Sequence, residues 1–234
     1  MLDLLSWGDG GWGDELTRAA FMTLAVAVVA FAIGLVFGVL GAGAKLSRFR
    51  ALRATGDAYT TVLRGIPDLL VIYLLFFGGS GAVMAVARVF GHTGYIEINA
   101  FTTGAVAIGV ISGAYSTEVF RGAVLALPKG EIEAATAIGM GPWLIFRRIK
   151  GPLMLRYALP GLGNVWQLTL KETSLISVTG LVEIMRQSRI AAGSTKQPFT
   201  FFVAAAVLYL ILTTASNYAF HRAEARANRG VRRA

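Results

Sequence analysis

Four stretches of this 234-residue chain carry no Asp, Glu, Lys or Arg over the length of a bilayer crossing. They are residues 19–44, 69–87, 98–117 and 197–220, of 26, 19, 20 and 24 positions. About 20 apolar residues of helix cross the hydrocarbon core, and a backbone surrounded by lipid must satisfy its own hydrogen bonds. A fifth stretch, 156–182, is apolar beyond its leading Arg156 except for Asn164, Gln167 and the adjacent pair Lys171 and Glu172. The composition agrees: 55% hydrophobic and 15% charged residues, where a soluble domain carries about a quarter charged. The expectation is an all-α polytopic membrane protein of five transmembrane helices. Asp68 lies at the border of the second apolar run, and Gly78-Gly79-Ser80-Gly81 is expected to end that helix early, leaving 82–100 as an outer connection with its own short helix. Residues 1–18, with Trp7 and Trp12 among acidic side chains, read as an interfacial lead-in or a disordered tail; 19–221 read as the transmembrane domain and 222–234 as a basic tail.

The distribution of charge sets the expected orientation. Segments 45–64, 121–156 and 222–233 hold 16 of the 22 Lys and Arg residues. Basic segments stay cytosolic, which puts the N-terminus outside, the C-terminus inside, and the chain in a bacterial inner membrane. The net charge of +9 is therefore an orientation signal and does not point to nucleic acid. With no cysteine and only His92 and His221, thiolate chemistry is excluded and a metal site is not expected. No G-x-x-x-x-G-K-[ST], G-x-S-x-G or H-E-x-x-H pattern occurs, so no catalytic residues and no ATPase site of its own are expected.

Within the basic segments one stretch stands apart, Gly130 to Pro152. Glu131 to Ile138 is Ala-rich and acidic at its start, as a helix N-terminus favours. Gly139 and Gly141 allow a break, and Pro142 suits the first position of a second helix. That helix, Trp143 to Ile149, has a bulky apolar side and a basic side (Arg147, Arg148, Lys150), and Gly151-Pro152 is expected to stop it. Periodicity alone leaves two readings open, a protein-docking knob and an amphipathic helix lying on lipid headgroups.

Glu133-Ala134-Ala135, then Gly139 after three residues and Pro152 thirteen further on, resembles the "EAA" loop of ABC-importer membrane subunits. The surroundings extend the likeness in order: Arg64-Gly65-Ile66-Pro67, Glu118-Val119-Phe120-Arg121-Gly122, Leu127-Pro128-Lys129-Gly130, Ala158-Leu159-Pro160 and Lys171-Glu172-Thr173-Ser174-Leu175. Together they resemble the polar amino-acid permeases for histidine, arginine, glutamine and opines, from about Phe21 to Phe220. Gly151 stands where that family usually has Leu before the closing Pro. The resemblance implies the type I importer permease fold, with loop 130–152 as cytosolic coupling helices. Glu133, Ala134, Ala135, Gly139, Met140, Pro142, Arg147 and Arg148 would then meet an ATPase. It further implies a cytosolic ATPase dimer that binds the ATP, a second permease copy or a paralogue, and a periplasmic solute-binding protein; the permease itself needs no cofactor.

Ionisable groups inside a span are costly and usually face a cavity or a partner. Lys171 and Glu172 are therefore expected on the substrate path, with Asn164, Gln167, Thr169 and Ser174 adding hydrogen bonds. Adjacent residues point about 100° apart on a helix, so the pair cannot share one face; an internal salt bridge or a dimer contact remains an equal reading. Arg64 and Pro67 are expected to anchor and start the second span, and Glu118 and Arg121 to pair along one helix face. Two other classes stay open at this point, an ion-coupled secondary transporter and a membrane scaffold.

Overall fold

The computed structural model describes residues 3–8, 10–89, 91 and 99–228. It is all-helical, with no strand among the described residues. After a short 3-10 turn at Asp3–Leu5 come α1 (Gly13–Lys45), α2 (Arg50–Gly65), α3 (Asp68–Val89) and α4 (Ala100–Leu125). Then follow α5 (Lys129–Ala137), α6 (Pro142–Ile145), α7 (Gly151–Glu172), α8 (Ile184–Thr195) and α9 (Pro198–Ala227).

The centre is the parallel pair α1 and α4. Gly34, Gly38 and Gly41 of α1 lie directly against Ser112, Ser116 and Thr117 of α4, where a Cβ on any of these glycines would collide. Small residues at this spacing let two backbones close on one another and fix their register. Around the pair, Val26, Ala30, Ile72, Ile108, Ile111 and Ile176 form the main buried cluster. Ala42, Phe120, Ala158 and Leu162 tie the C-terminal ends of α1 and α4 to α7.

By length and composition α1 and α9 each suffice to cross a membrane. The pair α2 with Asp68–Gly79 would make a third, bent by 109° at the break. The bend has a local cause: Ile66 precedes Pro67 and takes extended backbone (φ −101°, ψ 142°), as the residue before proline prefers. Helix α4 faces other helices over much of its length, so its Ser, Thr and Gly residues meet protein.

Three local expectations need correction. Gly78, Gly79 and Gly81 do not end α3, which continues to Val89; a helical glycine costs only about 1 kcal/mol, less than leaving peptide groups unbonded in an apolar medium. The separate connection expected over 82–100 is thus helical to Val89, and residues 90 and 92–98 lie outside the described residues. Gly151-Pro152 does not stop the second loop helix either. The backbone stays helical from Pro142 through Glu172, with a π-helical stretch at Phe146–Lys150. There the Gly151 N–H bonds to the Phe146 carbonyl five residues back, so Pro152, lacking an N–H, follows a widened turn. The helix of stretch 156–182 ends earlier than Val182: a 3-10 segment, Thr173–Thr179, follows α7 and stops at Gly180 (φ +100°). Residues 222–227 continue α9, and 229–234 of the expected tail lie outside the described residues.

Candidate functional site: a docking knob and a buried acidic pair

Two places hold the residues singled out in the sequence. The first is the knob between α4 and α7. Helix α5 closes with a paired set of bonds: the Gly139 N–H reaches the Thr136 carbonyl (3.0 Å) and the Met140 N–H the Ala135 carbonyl (3.1 Å). This is a Schellman closure, and its left-handed residue is Gly139 (φ +79°). Pro142 then opens α6 at a position where its missing N–H costs nothing. Ala135 and Ile145 are the buried residues, one on each limb. Glu133, Ala134, Gly139, Pro142, Arg147 and Arg148 are exposed, and Met140 is half-buried. So are three large apolar groups that a soluble surface would hide: Ile138 (78% exposed), Trp143 (72%) and Phe146 (47%). Trp143 stacks on Phe146 with ring centroids 5.8 Å apart. The result is a projecting, rigidly closed turn with an aromatic patch between an acidic start and a basic end. Exposed apolar patches of this kind mark contact surfaces.

The second place is where the α2–α3 bend meets the end of α7. Glu172 is 5% exposed, and neither carboxylate oxygen finds a hydrogen-bond donor. The carboxyl group of Asp68, just past the bend, lies within hydrogen-bonding reach of it. The Arg64 guanidinium sits over the Tyr115 ring, 5.5 Å from its centroid, and Tyr115 feels the fields of Arg64, Asp68 and Glu172 together. Buried Glu172 and half-buried Asp68 thus hold two acidic groups close together, an arrangement that a shared proton or a cation relieves.

The other candidates of stretch 156–182 do not converge on Glu172. Lys171 is exposed, on a different face. Asn164 is exposed too, and the Gln167 amide donates to Asn217 Oδ1 of α9 (2.7 Å). The hydroxyls of Thr169 and Ser174 donate to backbone carbonyls of their own segment. Arg121 Nε lies 2.9 Å from Glu118 Oε2, one turn apart on α4. Among the described residues there is no cluster suited to a metal ion.

Sequence reasoning noted Asp68 only as a border residue and gave Glu183 no role. Glu183 is fully buried. It accepts from the Met185 and Arg186 N–H groups at the start of α8 and from the Tyr209 hydroxyl (3.1 Å). Its signal was local: an acid just before a helical run, the position of an N-cap.

An all-helical bundle with long apolar helices, a projecting knob and a buried acidic pair has the form of a membrane transport subunit. The chain belongs to the binding-protein-dependent transport system inner membrane component family, which matches residues 34–229. It is 60% identical over 232 residues to the nopaline transport system permease protein NocQ of Agrobacterium fabrum, covering 99% of this chain and 98% of that one. The octopine permease OccQ of Rhizobium meliloti is 59% identical with the same coverage. The histidine/lysine/arginine/ornithine permease HisQ of Escherichia coli is 42% identical over 96% of this chain and 98% of its own. Among solved structures, an amino acid ABC transporter with histidines superposes with a TM-score of 0.77 at 28% identity, covering 92% of this chain and 95% of that one. The MetNI methionine ABC transporter shares the fold (TM-score 0.72, 20% identity, 93% and 98% covered). The protein is thus an ABC-transporter permease subunit with an importer fold.

Proposed function

We propose that this permease moves an opine or a cationic amino acid inward, and that the cationic group of the solute seats between Asp68 and Glu172. The buried, donor-less Glu172 carboxylate beside a second acid carries this reading. A positive group placed there satisfies both, and relatives named for opines and basic amino acids support that chemistry. The chain crosses the membrane five times, as α1, α2–α3, α4, α7–α8 and α9, with the N-terminus outside. A second copy or a paralogue completes the path. A cytosolic ATPase dimer grips the knob, binds the ATP and supplies the energy, and a periplasmic binding protein delivers the solute. Closure of the ATPases draws the knobs together and opens the seat outward; hydrolysis returns it inward.

The test is ATP-driven uptake by the complete complex in proteoliposomes. Glu172→Gln and Asp68→Asn should each raise the half-saturating solute concentration about tenfold or more, since a charged hydrogen bond is worth about 1.5–3 kcal/mol. Lys171→Ala should change it little. Unchanged uptake in both acid variants would remove the seat from Asp68 and Glu172.

A further inference from the structure

Lys45, the last residue of α1, is a nearly buried cation (side chain 13% exposed) whose three ammonium donors are all engaged. Nζ lies 3.0 Å from Asp57 Oδ1 and 2.9 Å from Thr60 Oγ1, both on α2, and 2.5 Å from Glu118 Oε1 on α4. Gly56 makes the approach feasible, because a Cβ there would stand 2.7 Å from Lys45 Cγ and 3.2 Å from the Lys45 nitrogen.

The three helices joined at this node have different positions in the transport machine. Helix α4 runs into the knob after only three linking residues. Helix α1 is keyed to α4 through its glycine face, so the two move as one body. Helix α2 is attached more lightly: besides the Lys45 node, its Tyr59 hydroxyl donates to the Val110 carbonyl (2.7 Å). At its far end α2 carries Arg64 and the bend that places Asp68. Apolar side chains could hold α2 here without desolvating an ammonium and a carboxylate. The ionic node adds direction, since three acceptors on two helices fix the angle of α2 as well as its distance.

We propose that Lys45 is a positioning residue that passes movement of the knob to α2, and so to the Arg64–Asp68 end of the solute seat. This rests on the knob being the ATPase-coupling element. The readout is the number of ATP molecules hydrolysed per solute moved, in proteoliposomes holding permease, ATPase and binding protein. Lys45→Ala should raise that ratio about tenfold, with co-purification of the ATPase unchanged.

The cysteine-free chain allows a second variant. A Cβ at position 56 would lie 3.3 Å from Ala44 Cβ, close to disulfide spacing. The triple variant A44C/K45A/G56C should be uncoupled when reduced and regain the unmodified ratio when oxidised, the covalent tether replacing the ionic one. An unchanged ratio in Lys45→Ala overturns the proposal. So does an oxidised triple variant that stays as uncoupled as the reduced one, or a Lys45→Ala protein that fails to assemble and is not restored by the tether. Absence of ATPase from the unmodified permease, by contrast, overturns the knob assignment itself.

Discussion

At the scale of single residues, the knob depends on a backbone conformation more than on a side chain. Gly139 holds φ at +79° with nothing within 4 Å of where a Cβ would be, so space is not what selects glycine there. The torsion selects it. A β-branched residue in that region costs about 1–3 kcal/mol, while Asn visits it readily. Gly139→Asn should therefore keep most uptake and Gly139→Val should lose it, with both proteins inserted at normal amounts. The check is ATP-driven uptake per permease, read beside ATPase co-purification; equal loss in both variants would point to a contact made at position 139 and away from the turn. Glu133→Lys tests the docking face instead. Its charge is exposed and its backbone unstrained, so loss of uptake there would reflect the partner surface alone.

At the scale of helices, the feature that sets the knob's direction is the unbroken run from Pro142 to Glu172. A movement of α6 reaches Glu172 through one continuous helix, whose regular hydrogen bonding is broken at the π-helical turn Phe146–Lys150 and again at Pro160. Replacing Pro152 by Ala restores an N–H one residue past that turn and favours ordinary helix in its place. Loss of the extra residue from the turn rotates everything before it by about 100° relative to α7, carrying Trp143 and Phe146 with it. Pro152→Ala should leave the permease folded, with a melting temperature near that of the unmodified protein, but weaken ATPase co-purification. Unaltered co-purification would show that the π turn does not aim the knob.

The same region shows what could be read from sequence and what could not. Charge-free length marked where the long apolar helices lie, and the Ala-rich run 131–138, Gly139 and Pro142 marked the two short helices and their turn, because both signals are local. Gly151-Pro152 misled because proline's effect depends on whether the preceding turn widens, which no local rule specifies. The glycines after Phe77 misled because their cost is judged against water, and an apolar medium offers the backbone no alternative partner. Asp68 and Glu172 stand 104 positions apart, and only the bend at Pro67 brings their carboxyl groups together.

At the scale of the whole molecule, the glycine-keyed α1–α4 pair, the α2–α3 bend and the α7–α9 side must sit in one orientation for the knob to meet a cytosolic ATPase. The bundle itself gives the relative order of the ends. Leu16 at the start of α1 packs with Ala191 and Ala192 of α8 and Phe201 of α9, so these share one membrane face. Ala42 and Phe120, near the other ends of α1 and α4, pack with Ala158 of α7 on the knob's side. On the distribution of basic residues we propose that this side is the cytosolic one. Single cysteines introduced into this cysteine-free chain settle the assignment, using a membrane-impermeant maleimide on intact spheroplasts. Ala137→Cys on α5 should label only after the membrane is opened. Lys196→Cys, in the exposed turn between α8 and α9, should label from outside without opening. The reverse pattern would place the knob outside, where no ATPase could grip it, and would refute the proposed drive. Labelling of both from outside would mean that the chain between them crosses the bilayer an even number of times, in conflict with a single crossing by α7 and α8.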